Sequence, residues 1–244
     1  MSLINSKSNQ IPTESLLSLG LCKYKTILAD PPWQFSNRTG KMAPEHKRLM
    51  RYSTMNIQEI MELPISQIAQ STCHLYLWVP NALILEGLEV MKRWGFTYKT
   101  NLVWYKIRKD GGPDGRGVGF YFRNVTELVL FGVRGRMRTS APGRTQVNII
   151  YTRKREHSRK PDELYDIIER CSPGPYLELF ARHKRQSWDQ WGNEIGISQA
   201  KVYPPYSGGE IKKEKQLILL VRHPEYKTKY KAQRSQPRRI VRPV

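Results

Sequence analysis

The chain has 244 residues, with 41 lysines and arginines against 21 aspartates and glutamates, a formal net charge of +20 and a pI near 10.0. Hydrophobic residues at 39% and aromatics at 10% supply a core and exclude global disorder. Cys22, Cys73 and Cys171 are far apart and form no C-x-x-C pair, which argues against a disulfide framework or a cysteine-based zinc site and suits a reducing compartment.

In chain order, MSLINSKSNQIPTES lacks the apolar stretch of a secretory signal, and residues 1–20 read as a polar, poorly ordered lead-in. No later run is long enough to span a bilayer, so the expectation is a soluble cytoplasmic protein with no membrane partner. From Tyr24 short β-branched and aromatic runs recur: TILAD (26–30), HLYLWV (74–79), TNLVWY (100–105), VTELVLFGV (125–133), VNIIY (147–151) and YLELFA (176–181). Several are apolar on both faces, as buried strands of a largely parallel sheet are. Asn81 can cap a helix whose Ile84, Leu88, Met91 and Trp94 share a face and which Gly95 stops. Pro161 opens another, with Leu164, Ile167, Ile168 and Cys171 inward and Ser172-Pro173-Gly174 at its end.

Strands alternating with helices predict an α/β fold with a doubly wound, largely parallel sheet over residues 21–197. Residues 34–52 and 106–124 read as long, basic loops, the second rich in glycine; loops of such length in a compact domain are usually functional or disordered. Residues 198–244 read as a linker and a basic extension with interspersed tyrosines. So basic a chain points to a polyanionic partner, because phosphates and their counterions reward such a surface.

Ligands of open α/β sheets bind at the carboxyl ends of the strands. Asp30 falls where TILA ends, so its carboxylate is expected in that crevice. Pro31 and Pro32 remove donors from the loop and leave carbonyls to accept. Asp30 and the Pro31 carbonyl could both accept from one amino group, while Trp33 offers a face for a flat base. An aromatic amine is a poor nucleophile because its lone pair is delocalised. Two acceptors that draw its hydrogens towards tetrahedral geometry would free that lone pair for in-line attack on a sulfonium methyl. The end of LELFAR and the following WGNE together suit a nucleoside: apolar floor, polar rim.

ADPPW after a strand resembles the signature of the seventy-kilodalton-subunit family of adenine 6-amino methyltransferases. The resemblance continues through RYSTM (51–55), HLYLWV, RWGF (93–96), HSRKPDELYDIIERCSPG (157–174), LELFAR (177–182) and WGNE (191–194). It implies a Rossmann-like catalytic domain that uses S-adenosyl-L-methionine to methylate the 6-amino group of adenine. Asp30, Pro31, Pro32 and Trp33 would form the catalytic loop. Ala29, Asp30, Lys160, Phe180, Arg182, His183, Asn193 and Glu194 would line the donor site. Trp33, Tyr52 and Ser53 would meet the substrate, and Trp78, at another strand end facing the crevice, would be either a contact or core. Arg123, Asn124 and Glu127, which follow the glycine-rich loop, would contact substrate or a partner subunit. Glu194 stands where the eukaryotic RNA enzymes carry glutamine, either of which can accept a ribose hydroxyl, and FYFRN looks more like the microbial members. The expectation is methylation of DNA by a bacterial or phage protein; the alternatives are the same methylation on RNA, which the active-site residues do not separate from it, or a nucleic-acid-binding subunit of a methyltransferase complex. An intact Asp30 argues against an inactive-partner subunit, while a homodimer or a related subunit fits the family. No phosphate loop is present: GRGVGF precedes a strand, the wrong context, and no histidines have metal-ligand spacing.

Overall fold

The protein is described from a computed structural model that covers residues 13–34, 54–115, 121–154, 159–193 and 195. Among these residues are seven strands: β1 (Tyr24–Ala29), β2 (Ala69–Val79), β3 (Thr97–Ile107), β4 (Thr126–Arg134), β5 (Ile149–Arg153), β6 (Tyr176–Leu179) and β7 (Trp188–Trp191). The helices are α1 (Thr13–Leu17), α2 (Ile57–Glu62), α3 (Ile65–Ile68), α4 (Ile84–Arg93) and α5 (Glu163–Cys171). The strands form one sheet in the order β5-β3-β4-β2-β1-β6-β7. All neighbours are parallel except the two pairings made by β4, which runs antiparallel between β2 and β3.

Along the central strands successive buried side chains point to opposite faces of the sheet, and each face is covered. Ile27, Ala29, Leu75, Leu77, Leu130, Leu177 and Leu179 pack with Leu16 of α1, Ile60 of α2, Ile65 and Ile68 of α3 and Val90 and Met91 of α4. Leu28, Tyr76, Trp78, Leu102, Trp104, Val129 and Ile150 pack on the opposite face with Leu164 and Ile168 of α5. The expected doubly wound sheet is therefore the observed one, with two apolar layers sandwiching strands too buried to alternate polar and apolar.

From β1 the chain crosses to β2 on one side through α2 and α3, whereas α5 leads to β6 on the other side of β1. The strand order thus reverses between β1 and β6, and a crevice opens at such a reversal outside the carboxyl ends of both strands. Asp30 follows β1 and Phe180 follows β6, so the topology brings two distant motifs to one place.

Some local expectations are corrected. Asn81 does not cap α4: it opens a 3-10 turn (Asn81–Leu83), and its side-chain amide donates to the Thr126 carbonyl and hydroxyl, both at 3.2 Å. The stop at the other end holds. Gly95 has φ +86°, and the bonds from Gly95 N–H to Lys92 O and from Phe96 N–H to Met91 O, both 3.0 Å, close a Schellman turn. The expected disorder of residues 1–20 gives way from Thr13 onward: Leu16 is fully buried, and Ser15 Oγ accepts from the Trp191 indole at 2.9 Å. Most of the 34–52 loop lies outside the described residues, as does the whole extension from 198 onward. The second loop is shorter than expected, because β3 runs to Ile107 and Pro113 bridges back to it.

Candidate active site

Asp30 is the first residue beyond β1 and is partly exposed. Its Oδ2 lies 3.0 Å from Nζ of Lys160, which precedes α5. The same ammonium lies 3.4 Å from Oε2 of Glu127 on β4 and 5.1 Å from the centre of the Trp78 ring. The other oxygen of Glu127 pairs with Lys106 of β3, whose ammonium sits 4.9 Å above Trp104. The strand register sets this up, because Glu127 stands opposite Trp104 and next to Tyr105 and Lys106.

Charges therefore alternate across the mouth of the crevice as Lys106, Glu127, Lys160 and Asp30. Burial disfavours the Lys160 ammonium, but Asp30 and Glu127 outweigh it and hold its pKa above the ordinary lysine value. Burial likewise opposes the Glu127 carboxylate, and Lys160 and Lys106 hold its pKa below the ordinary range.

Glu178 of β6 adds a carboxyl group on the α5 face. It pairs in register with Leu28, two residues from Asp30, and accepts a 2.8 Å hydrogen bond from the Tyr165 hydroxyl. Burial pushes its pKa up to about 7 against that hydrogen bond, and the Asp30 charge adds to the rise. Lys106 and Glu178 went unread in the sequence, and Glu127 was expected only near the substrate or a partner. The available signal was a charge set inside an apolar strand, Glu127 in VTELVLFGV and Glu178 in YLELFA.

The loop itself corrects part of the expected chemistry. Pro31 and Pro32 do not leave their carbonyls wholly open. Pro31 O accepts from the Trp33 N–H at 2.8 Å, and Pro32 O accepts from the Met55 N–H at 2.9 Å. Trp33 is only 5% exposed, and its indole N–H donates to Trp78 O at 2.9 Å, so its ring braces the loop against β2 instead of offering a stacking face. Trp78, 2% exposed, is core beneath Lys160, and Ala29 is fully buried between β2 and β6, so neither side chain faces the crevice. Tyr52, Ser53 and Glu194 lie outside the described residues. Arg123 and Asn124 are exposed just before β4.

The candidate donor residues meet at the ends of β6 and β7. Phe180 takes a left-handed backbone, φ +63°, a strained choice for a residue with a bulky side chain and one that concentrates at functional sites. Its ring meets Trp191 edge-on at 5.6 Å, and the Ala181 N–H donates to Trp191 O at 3.0 Å. Gly192 makes that closeness possible, since a Cβ there would lie 2.6 Å from Ala181 O. Arg182 and His183 follow directly, and Asn193 is exposed at the rim. Among the described residues, Nδ1 of His183 is buried with no hydrogen-bond partner, the state expected of a group that a nucleoside would satisfy. These residues fit an adenosyl methyl donor. Among the described residues no cluster of three acidic, cysteine or histidine side chains could hold a metal ion, and no helix is long and apolar enough to cross a membrane.

A doubly wound sheet with a DPPW loop at its reversal has the Rossmann-like architecture of the S-adenosylmethionine-dependent methyltransferases. The chain belongs to the MT-A70 family, which residues 24–194 match. It is 28% identical over 217 residues to the type II methyltransferase M.MunI of Mycoplasma sp., covering 81% of this chain and 88% of that protein. It is 31% identical over 208 residues to METTL3 of Homo sapiens, named the catalytic subunit of an N(6)-adenosine-methyltransferase, covering 81% of this chain and 34% of that protein. A putative N(6)-adenosine-methyltransferase of Medicago truncatula is 31% identical over 179 residues, 72% of this chain and 27% of that protein. The chain thus spans nearly all of the bacterial relative but about a third or less of the eukaryotic ones.

Proposed function

We propose that this chain methylates the 6-amino group of adenine in DNA, with Asp30 as the residue that receives the amine. The observation that carries the reading is the placement of Asp30 at the β1–β6 reversal, paired through Oδ2 with Lys160 at 3.0 Å. With Oδ2 committed to Lys160, Oδ1 is the acceptor for an N–H of the substrate. One remaining lone pair of the Pro31 carbonyl can accept the second N–H, since its other partner is Trp33. Holding both hydrogens draws the nitrogen lone pair out of the ring, a matter of positioning and electrostatics.

S-adenosyl-L-methionine bound at Phe180, Arg182, His183 and Asn193 would supply the electrophilic methyl group. As the new N–C bond forms, the methyl–sulfur bond would break to leave a neutral thioether, and the amine would give up one proton to the Asp30 carboxylate. Lys160 fixes the orientation of that carboxylate and Glu127 fixes Lys160. The match along nearly the whole of a type II methyltransferase supports DNA as the substrate. The likeness to METTL3 favours RNA as the second reading.

Labelled donor offered to matched duplex DNA, single-stranded DNA and RNA tests both. Label in adenine of DNA is expected, and Asp30→Ala should lower transfer at least about a hundredfold, the cost of removing one group that stabilises developing charge, while donor binding persists. Label in RNA alone would overturn the DNA reading and leave the role of Asp30 standing. Undiminished turnover by Asp30→Ala would sink the catalytic assignment.

A further inference from the structure

Tyr121 and Phe122 stand out on the described surface. They are 94% and 85% exposed, the highest values among its large hydrophobic residues, and they are consecutive in sequence. Two neighbouring aromatics in water bury almost none of their area, so folding alone does not account for their outward placement. Their position in the sheet does. The antiparallel β4 begins at Thr126 opposite Tyr105 near the end of β3, so the residues before it lie at the same edge as the carboxyl ends of the parallel strands. Phe122 is five residues from Glu127, at most about 17 Å of extended chain, and Glu127 reaches Asp30 through Lys160. A third exposed aromatic shares this edge: Tyr151 of β5 is 54% exposed, its ring edge-on to Tyr105 at 5.5 Å.

The adjoining charge has the sign of a nucleic-acid surface, since Lys109, Arg123, Arg153 and Lys154 are all exposed around the ends of β3 and β5 and the start of β4. Flat rings among cations suit a strand whose bases are unstacked, because every base has a face to stack and each phosphate meets a cation. An adenine inside a duplex must leave the stack to present its amine, which strips its neighbours of a stacking partner.

We propose that Tyr121 and Phe122 form a stacking platform that holds the unpaired bases beside the target adenine. The inference rests on the proposed nucleic-acid substrate and extends it to a second contact site. It is tested by measuring the affinity of the full chain for a single-stranded oligonucleotide over a range of salt, for the native protein, for the double variant Tyr121→Ala/Phe122→Ala and for Arg123→Ala.

Loss of stacking should weaken the double variant about 5- to 150-fold at every salt concentration, the range that aromatic-to-alanine changes give, with the salt slope unchanged. Arg123→Ala should instead flatten the slope by about one phosphate contact. Binding of S-adenosylmethionine, whose proposed site lies at the ends of β6 and β7, should be unaltered and so reports that the variants are folded. Native affinity in the double variant, with methyl transfer intact in the native chain, overturns the platform and leaves the proposed activity standing. A native chain that binds no nucleic acid overturns both. A change in sedimenting mass in the double variant, without loss of affinity, assigns the aromatics to a protein interface and overturns the platform as well.

Discussion

With Lys106 on one oxygen and Lys160 on the other, Glu127 sets how firmly Lys160 is held beside Asp30. Glu127→Gln would leave two half-buried ammoniums sharing a neutral group, and burial would then pull the Lys160 pKa down. The expected result is a lower kcat and an alkaline limb of the pH–rate profile that moves to lower pH, with S-adenosylmethionine binding retained; an unmoved limb would remove Glu127 from the site's charge balance. Glu178 titrates in the opposite sense to a salt-bridged carboxylate. Its pKa is raised from 4.5 to about 7, so the folded state binds the extra proton between those values. The stability it contributes is fully present below pH 4.5 and is lost as pH rises through about 7, a change of about 3 kcal/mol at most. Glu178→Gln keeps an acceptor for Tyr165 and should abolish that fall. Urea unfolding of both proteins between pH 5 and 8 reads the difference, and comparing them cancels the background from His74, whose pKa burial lowers.

At the scale of elements, a buried polar junction ties the end of α5 to the sheet. The Ser172 hydroxyl meets His74 Nδ1 and the Tyr76 hydroxyl of β2, each at 2.8 Å, and the Ser172 carbonyl accepts from Tyr176 of β6 at 2.8 Å. All three side chains of the hydroxyl cluster are at most 2% exposed. Ser172→Ala removes one hydroxyl and strands two buried groups, which should cost about 2–4 kcal/mol of unfolding free energy, read as a lower urea midpoint with an unchanged slope. In the sequence this segment reads only as a helix stop, since burial of a serine leaves no mark in a local pattern. Strands β1 to β6 were legible because each contains a short run rich in β-branched and aromatic residues. β7, Trp188–Trp191, was not: its WDQW has two polar residues in four, and it is a strand because it pairs with β6. α1 was illegible for the same reason, its five residues gaining their order from Leu16 in the core. The placement of Asp30 and Phe180 at the ends of adjacent strands was legible through their motifs, whereas the burial of Trp33 and Trp78 depends on a meeting of β1 and β2 that periodicity does not reveal.

For the molecule as a whole, charge is unevenly spread along the chain. Residues 201–244 carry twelve lysines and arginines against three glutamates, so close to half of the net +20 sits in less than a fifth of the sequence. The proposed catalytic and donor residues all fall between Ala29 and Glu194, so their contribution to substrate binding and one from the extension would be separable by position. On the proposed function, groups at the crevice would choose an adenine and set its geometry, while the extension would contribute only phosphate neutralisation if its lysines act as point charges. The two differ in salt dependence. On duplex DNA each neutralised phosphate adds about 0.9 to the magnitude of the slope of log affinity against log salt. Changing the twelve basic residues to glutamine in the intact chain should therefore flatten that slope by about 0.9 for each phosphate no longer neutralised, and weaken binding most at low salt. Transfer at saturating DNA should stay near the native rate, because nothing at the Asp30 carboxylate has changed. An unaltered slope would place the phosphate-binding cations on the catalytic unit instead, where Lys109, Arg123, Arg153 and Lys154 are exposed.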